Sequence, residues 1–205
     1  IKVMKSFSEI DTIVKRASKS LGFPWGVAEE IGKNIQILEF FGLRGVKSLN
    51  NYFKLHKQKK FQNISLILKN NSSNISYCPI VAGLNFLDQI NLLEDFGEIE
   101  FKNLAFPILF LPFVSRASEI IGKRIKLSID TQNFLLNYNK SIYSDFNTEK
   151  IIENANSLKL NILNNVDSFS ENEWKELYKM SENIFVEETD ELKKNAAGAG
   201  LTDND

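Results

Sequence analysis

The chain has 205 residues, of which 43% are hydrophobic and 25% charged, so it carries enough apolar side chains for a substantial core. Its 25 basic and 26 acidic residues nearly cancel, which argues against the strongly basic surface of a nucleic-acid-binding protein. The longest apolar run, residues 104–114, contains two prolines and is too short to cross a bilayer. We therefore expect neither nucleic acid nor a membrane as a partner.

The first part of the chain is predicted to be helical. Phe7 begins an apolar pattern with three- and four-residue steps that ends at Gly22, and Ser6 with Glu9 has the spacing of a capping box. Pro24 favours the start of a second helix, which continues to Gly42. A shorter third helix is predicted over residues 46–53. The N-terminal helices are thus expected to begin with a hairpin-like pair.

The middle of the chain is predicted to be mainly β, with one short helix. The expected strands cover residues 64–68, 99–101, 108–113, 124–129, 134–138 and 158–163, and the expected short helix covers residues 115–122. Residues 77–83 are interpreted as a buried crossing rather than a helix. Ser170 and Glu173 then form a second capping box that opens a C-terminal helix. The predicted fold class is α+β, with a central, mostly antiparallel β region followed by a C-terminal helix and an extended tail.

The sequence gives no clear linker inside the globular part. We expect one α+β domain over residues 1–195 and a Gly/Ala-rich acidic tail over residues 196–205. The single cysteine, Cys78, cannot form a disulfide within the chain, which favours a reducing, cytoplasmic location and excludes a cysteine-built metal site. The single histidine, His56, lies in a basic run and is interpreted as a solvated residue at a helix end.

Two segments contain the candidate binding residues. The second helix begins with Trp25, followed by Glu29 and Glu30, whereas the chain ends in two acids after an uncharged stretch. Carboxylates near a helix N-terminus are stabilised by the helix dipole without any further role. Brought together in a pocket, however, the acids could act as general acid and base or bind a hard cation through oxygen ligands. The candidate residues are Trp25, Glu29, Glu30, Leu201, Thr202, Asp203, Asn204 and Asp205.

The same two segments resemble a known family. Residues 22–32 (GFPWGVAEEIG) match the pattern Gly-x-x-Trp-Gly-x-Ala-Glu-Glu, and residues 197–205 (AGAGLTDND) match a glycine-alanine run followed by Leu-Thr-Asp-Asn-Asp. These motifs are similar to those of the bacterial family described as domain of unknown function 3726. The resemblance implies an opening helix pair, but it implies no activity, substrate or cofactor.

Two hypotheses about function remain open. In the first, the protein is an accessory or interaction subunit whose acidic tail docks on a protein partner or on a second copy. In the second, it is a small-molecule enzyme or binding protein with a carboxylate-lined site formed by the second helix and the tail. We favour the first because catalytic motifs are scarce, and for the same reason we assign neither a metal site nor a cofactor.

Overall fold

The computed structural model describes residues 4–137, 141–145 and 151–182. The chain divides into two compact units, Ile1–Asn165 and Val166–Asp205, which are described in turn. The expected domain boundary at residue 195 lies outside the described residues and stays a prediction.

The first unit contains five described α-helices and eight described strands. The helices are α1 (Phe7–Ser20), α2 (Trp25–Phe40), α3 (Gly45–His56), α4 (Pro79–Leu93) and α5 (Leu111–Ile121), with 3₁₀ turns at Glu94–Phe96 and Pro107–Leu109. The strands are β1 (Asn70–Asn71), β2 (Glu98–Phe101), β3 (Leu104–Ala105), β4 (Arg124–Ile129), β5 (Gln132–Leu136), β6 (Ile142–Ser144), β7 (Asn154–Ala155) and β8 (Leu158–Leu163).

Six of these strands form a mixed sheet in the order β1-β2-β8-β4-β5-β6. Only the β1–β2 pair is parallel, so the prediction of an α+β fold with a mostly antiparallel sheet is confirmed. Along β4 the side chains alternate: Ile125, Leu127 and Ile129 are buried, whereas Arg124 and Lys126 are exposed. This alternation is typical of a sheet that covers the core with one face and meets solvent with the other.

The predicted helices at the N-terminus are confirmed. α1 begins after Ser6, whose Oγ accepts a hydrogen bond of 3.1 Å from the backbone N–H of Glu9. α2 begins directly after Pro24 and packs against α1 as a helical pair. The turn from α2 to α3 needs left-handed backbone at Gly42 and at Arg44, and α3 begins at Gly45.

Three predictions for the middle of the chain are wrong. Residues 64–68 form no strand; side-chain amides of α4 bind their backbone, with Asn85 donating to the carbonyl of Ile64 and Gln89 accepting from the N–H of Ile67. Residues 77–83 are not a crossing, because α4 starts at Pro79. Residues 108–113 lie in a 3₁₀ turn and the first turn of α5 rather than in a strand.

Two of these errors, at residues 77–83 and 108–113, share a physical cause. A short apolar run that is buried on all sides has no periodicity that distinguishes a strand from a helix. In this chain, Pro79, Pro107 and Pro112 each lie in the first turn of a helix or 3₁₀ turn. Proline is favoured there because its fixed φ suits the helix and its missing N–H needs no partner. The three prolines were therefore helix-start signals inside apolar sequence.

Close packing between α4 and α5 depends on Gly83. A Cβ atom at this position would overlap the ring of Phe113 in α5. The glycine thus lets the aromatic ring lie directly on the backbone of α4. Phe113 is fully buried, as are Phe86 and Phe110, whose rings lie 5.5 Å apart. The helical layer and the buried face of the sheet form one hydrophobic core.

The second unit is described over residues 166–182. It contains α6 (Glu171–Glu182), which begins with the predicted capping box. The backbone N–H of Glu173 donates to Ser170 Oγ at 3.3 Å, and the backbone N–H of Ser170 donates to Glu173 Oε2 at 2.6 Å. No residue of α6 is buried.

Candidate interaction site

An apolar groove lies on the N-terminal helices of the first unit. It has a volume of about 770 Å³ and is lined by Met4, Lys5, Ser6, Phe7, Glu9, Ile10, Ile13, Val14, Glu39 and Val46. Phe7 remains 48% exposed and Ile13 58% exposed. Five of these ten side chains come from α1, which presents them over two helical turns. A contiguous patch of exposed apolar side chains often marks a site that binds a protein, a membrane or a ligand.

Contacts between α1, α2 and α3 fix the positions of the helices around the groove. The amide of Gln36 in α2 donates a hydrogen bond of 3.0 Å to the carbonyl of Phe7, and the ring of Phe7 lies 6.0 Å from that of Phe40. Glu39 accepts a hydrogen bond of 2.8 Å from the backbone N–H of Val46. This carboxylate therefore satisfies a free donor at the start of α3 and fixes the end of α2 beside it. Seven of the ten lining residues lie in helices, and the other three, Met4, Lys5 and Ser6, lie in the segment before α1.

Charged residues surround the groove unevenly. Residues 5–20 contain four basic and two acidic side chains. Lys5 pairs with Glu9 at 2.7 Å, whereas Lys15 pairs with Asp11 at 2.6 Å. The hydrogen bond to Asp11 raises the pKa of Lys15, and the nearby charge of Glu29 acts in the same direction. Residues 5–20 are therefore net basic at neutral pH, whereas the groove lining itself contains one base, Lys5, and two acids, Glu9 and Glu39.

The predicted carboxylates of α2 face different neighbours. Glu30 forms ion pairs with Lys33 at 2.8 Å and with Arg116 of α5. Partial burial opposes ionisation, but the hydrogen bonds from Lys33 and Arg116 prevail and lower the pKa of Glu30. Glu29 is exposed and lies on the side of Lys15 in α1. The two acids therefore do not form a shared carboxylate pair.

Trp25, the third candidate in this segment, lies at the exposed start of α2. Its ring is 56% exposed, and the ammonium group of Lys19 lies 5.7 Å from the ring centroid. Within the described residues, Trp25 thus has a cation–π neighbour from α1. The tail candidates, Leu201, Thr202, Asp203, Asn204 and Asp205, lie outside the described residues. The combined site therefore stays a prediction.

Gly32 lies in the interior of α2, where a glycine predicts the close approach of another backbone, that of α1. It does lie against α1, but against side chains rather than backbone, so the predicted backbone contact is wrong. A Cβ atom on Gly32 would overlap the carboxylate of Asp11 and lie 3.1 Å from Cγ of Lys15. The atoms facing Gly32 are therefore side-chain atoms of an ion pair and not helix backbone. The absence of a Cβ on Gly32 leaves room for the Asp11–Lys15 ion pair beside α2.

The single cysteine and the single histidine belong to an aromatic cluster. Cys78 caps α4, with its Sγ accepting from the N–H of Val81 at 3.4 Å and lying 3.0 Å from the hydroxyl of Tyr52. Burial raises the pKa of the Cys78 thiol although these hydrogen bonds oppose the rise. The thiol is therefore protonated at neutral pH and has the properties of a structural cysteine.

The interpretation of His56 as a solvated residue is wrong. Its ring is half-buried and lies 5.5 Å from Phe23, 5.6 Å from Tyr52 and 6.1 Å from Phe61, measured between centroids. The basic run around His56 did not predict this environment, because the aromatic neighbours come from three separate segments of the chain.

Among the described residues, no group of three or more His, Cys, Asp or Glu side chains is placed to hold a metal ion.

The groove itself was missed by the sequence reasoning. The apolar steps that begin at Phe7 predicted a helix but gave no indication that Phe7 and Ile13 would be 48% and 58% exposed. The available signal was the width of the pattern: adjacent apolar residues at 13 and 14 spread over more than one helix face.

In the part of the chain that the structure describes, no helix has both the length and the hydropathy required to cross a bilayer.

Comparison with known proteins supports the resemblance to the family found in the sequence. The family model described as "Protein of unknown function (DUF3726)" matches residues 5–78, which include α1, α2 and α3 and every groove residue except Met4. No curated protein matches the chain. One solved structure, a malate dehydrogenase from Pyrococcus horikoshii OT3, is similar at a TM-score of 0.43 and 12% identity over 69% of this chain. The chain spans about half the length of that enzyme, 49%.

Proposed function

We propose that the protein is an accessory or interaction subunit that binds a protein partner or a second copy of itself. The observation that carries this proposal is the apolar groove on α1, α2 and α3. Phe7 and Ile13 remain on the surface although the same helices bury Val14, Ile31 and Leu38 in the core. Leaving large apolar side chains in water is unfavourable by about 25 cal/mol per Å² of area, so a partner that covers them gains binding free energy.

The chemistry of the described titratable groups supports the same proposal. Glu30 is neutralised by two cations, and the thiol of Cys78 is buried and protonated. A general base or a nucleophile has to reach its substrate and to carry the correct charge. Neither group combines access with the ionisation state that catalysis requires.

The acidic tail is proposed to take part in the same interaction. Leu201 would supply an apolar anchor, while Asp203 and Asp205 would need hydrogen-bond donors or cations on the surface that receives them. Docking on a partner or on a second copy would give Asp203 and Asp205 a function, namely to bind donors or cations on the receiving surface. A cytoplasmic location, inferred from the single cysteine, belongs to this proposal.

The size of the protein in an extract of its native cell tests the proposal. We expect the tagged wild-type chain to elute from a size-exclusion column as a complex larger than the monomer. Phe7→Glu should return it to the monomer size, because a carboxylate in the groove cannot be buried without a partner charge. Deleting residues 198–205 should weaken the complex and leave thermal unfolding nearly unchanged.

Leu92→Glu is the matched control. Leu92 is 77% exposed on α4 and does not line the groove, so the same change of charge there should leave the complex intact. A wild-type chain that elutes as a monomer would contradict the proposal. Equal effects of the Phe7 and Leu92 substitutions would also contradict it, because the groove would then have no special role.

A further inference from the structure

We propose that α1 opens and closes on its own: in the native protein it leaves α2 and returns while the core of the first unit stays folded. Because α1 supplies five of the ten groove residues, this motion takes the groove apart and rebuilds it. The inference concerns the free chain and does not depend on what binds the groove. Three features carry it: the small apolar area that α1 buries, the position of its ion pairs, and the attachment of the turn that follows it.

The first feature is how little of α1 is buried. Of its 14 residues only Val14 and Ser18 are buried, whereas α5 buries seven of its 11 residues. The hydroxyl of Ser18 donates its hydrogen bond, of 2.8 Å, to the carbonyl of Val14 in the same helix, so it does not bind α2. Val14 is therefore the main apolar contact of α1 with the core. A helix that buries so little apolar area has a low free energy of opening.

The second feature is the position of the ion pairs. The described ion pairs of α1 lie inside its own segment: Lys5 binds Glu9, and Lys15 binds Asp11. Pairs of this kind support the helix but do not attach it to its neighbour. A side-chain hydrogen bond from α2, donated by Gln36 to the first turn of α1, is exposed to solvent, so its net contribution is small. Docking of α1 thus depends mainly on its apolar face.

The third feature is the attachment of the turn between α1 and α2. The ring of Phe23 lies 6.2 Å from that of Phe53 and 5.5 Å from that of His56, both in α3. The turn is therefore held by α3 independently of α1. Directly before Phe23, Gly22 has a φ of +93°, and a glycine can change its backbone conformation at low energetic cost. The opening unit is thus expected to end at Gly22.

Opening has two consequences. A free α1 does not remain helical, because an isolated helix of about 14 residues is marginal in water. Its backbone hydrogen bonds therefore break, and its amides exchange with solvent. Opening also separates Phe7, Ile10 and Ile13 of α1 from Glu39 of α2 and Val46 of α3. A groove ligand thus binds only the closed fraction of the molecules, and once bound it slows the opening of α1.

Native-state hydrogen exchange is the experiment. It uses the purified full-length chain, diluted until it is monomeric, and follows peptides from α1, α4 and β4 by mass spectrometry. We expect α1 to exchange about a hundredfold faster than α4 and β4, because it opens without global unfolding. Low concentrations of urea give a second readout on the wild type. They should speed exchange in α4 and β4 more than in α1, since the opening of α1 exposes less surface.

Two matched substitutions separate the opening of α1 from global unfolding. Val14→Ala weakens the closed state, so α1 should exchange about tenfold faster. Val114→Ala removes the same two methyl groups from a fully buried position in α5. It lowers the stability of the core without changing the contact between α1 and α2. It should therefore speed exchange in α4 and β4 about tenfold or more and leave that of α1 unchanged.

Three results would overturn the inference. If Val114→Ala speeds exchange in α1 as much as in α4, then α1 opens only when the whole unit unfolds. If Val14→Ala leaves exchange in α1 unchanged, that exchange reflects fraying in which Val14 stays in place. The third is a wild type in which α1 is as strongly protected as α4.

Discussion

The hydroxyl oxygen of Tyr52 lies 3.0 Å from Sγ of Cys78, and this buried hydrogen bond joins α3 to the start of α4. Burial raises the pKa of both groups, so neither ionises at neutral pH. Tyr52 also contacts Phe106 at 5.8 Å and Phe61 at 5.1 Å between ring centroids. The pair therefore has a structural role in the aromatic cluster.

We predict that Tyr52→Phe lowers the free energy of unfolding by about 1 kcal/mol, because the ring packing stays and only one hydrogen bond is lost. Chemical denaturation measures this change. Cys78 in the native wild type should react with a thiol reagent only as fast as the protein opens. Tyr178→Phe, at an exposed position, should alter neither value. Rapid labelling of the native protein would show that Cys78 is accessible.

The second prediction concerns the contact between α4 and α5. Gly83→Ala should lower the free energy of unfolding by about 1–3 kcal/mol, since the added methyl group overlaps the buried ring of Phe113. Gly26→Ala is the control: no atom lies within 4 Å of its added Cβ, and alanine has the higher helix propensity. It should be neutral or slightly stabilising. Equal thermal midpoints for the two variants would contradict the packing described.

Two of the three errors in the sequence prediction, at residues 77–83 and 108–113, arise at this contact. Helices α1, α2 and α6 could be predicted because each has a visible periodicity and a start signal, a capping box in α1 and α6 and Pro24 before α2. The segments around Gly83 and Phe113 are apolar at most positions, so no helical period could be recognised in them. Nothing in the sequence indicated that Gly83 permits close packing. The groove was missed for a related reason: an exposed Ile13 and a buried Val14 are equivalent in sequence, and only the position of α2 and α3 distinguishes them.

The third prediction concerns the pH dependence of the Glu30 ion pairs. The pKa of Glu30 is lower in the folded protein than its ordinary value of 4.5. Its stabilising contribution is therefore full above pH 4.5 and is lost as the pH falls through the folded-state pKa. Glu30→Gln should lower the free energy of unfolding by about 1 kcal/mol at neutral pH, and the difference should shrink in acid.

Denaturation of wild type and variant at several pH values checks this dependence. Glu29→Gln is the neighbouring control, because Glu29 is exposed and is not in the Arg116 pair. Its effect should be smaller at neutral pH. A Glu30→Gln effect that is constant with pH would show that the charge of Glu30 is not what stabilises the helix contact.

The fourth prediction concerns Ser115 in α5. Its hydroxyl is buried and has no hydrogen-bond partner among the described residues. Such a group loses its hydration on folding without replacement, which is unfavourable by about 1–3 kcal/mol. Ser115→Ala should therefore raise the thermal midpoint. A fall in the midpoint would indicate that the hydroxyl has a partner, such as an internal water molecule.

The most direct measurement of the central claim is site-specific photocross-linking from the groove in the native cell. A photoreactive phenylalanine analogue at Phe7 is compared with the same analogue at Leu92, which is exposed outside the groove. The account predicts a defined protein adduct from position 7, identified by mass spectrometry, and none from position 92. Adducts of equal yield from both positions, or none from position 7, would contradict the assignment of this groove as a protein-binding surface.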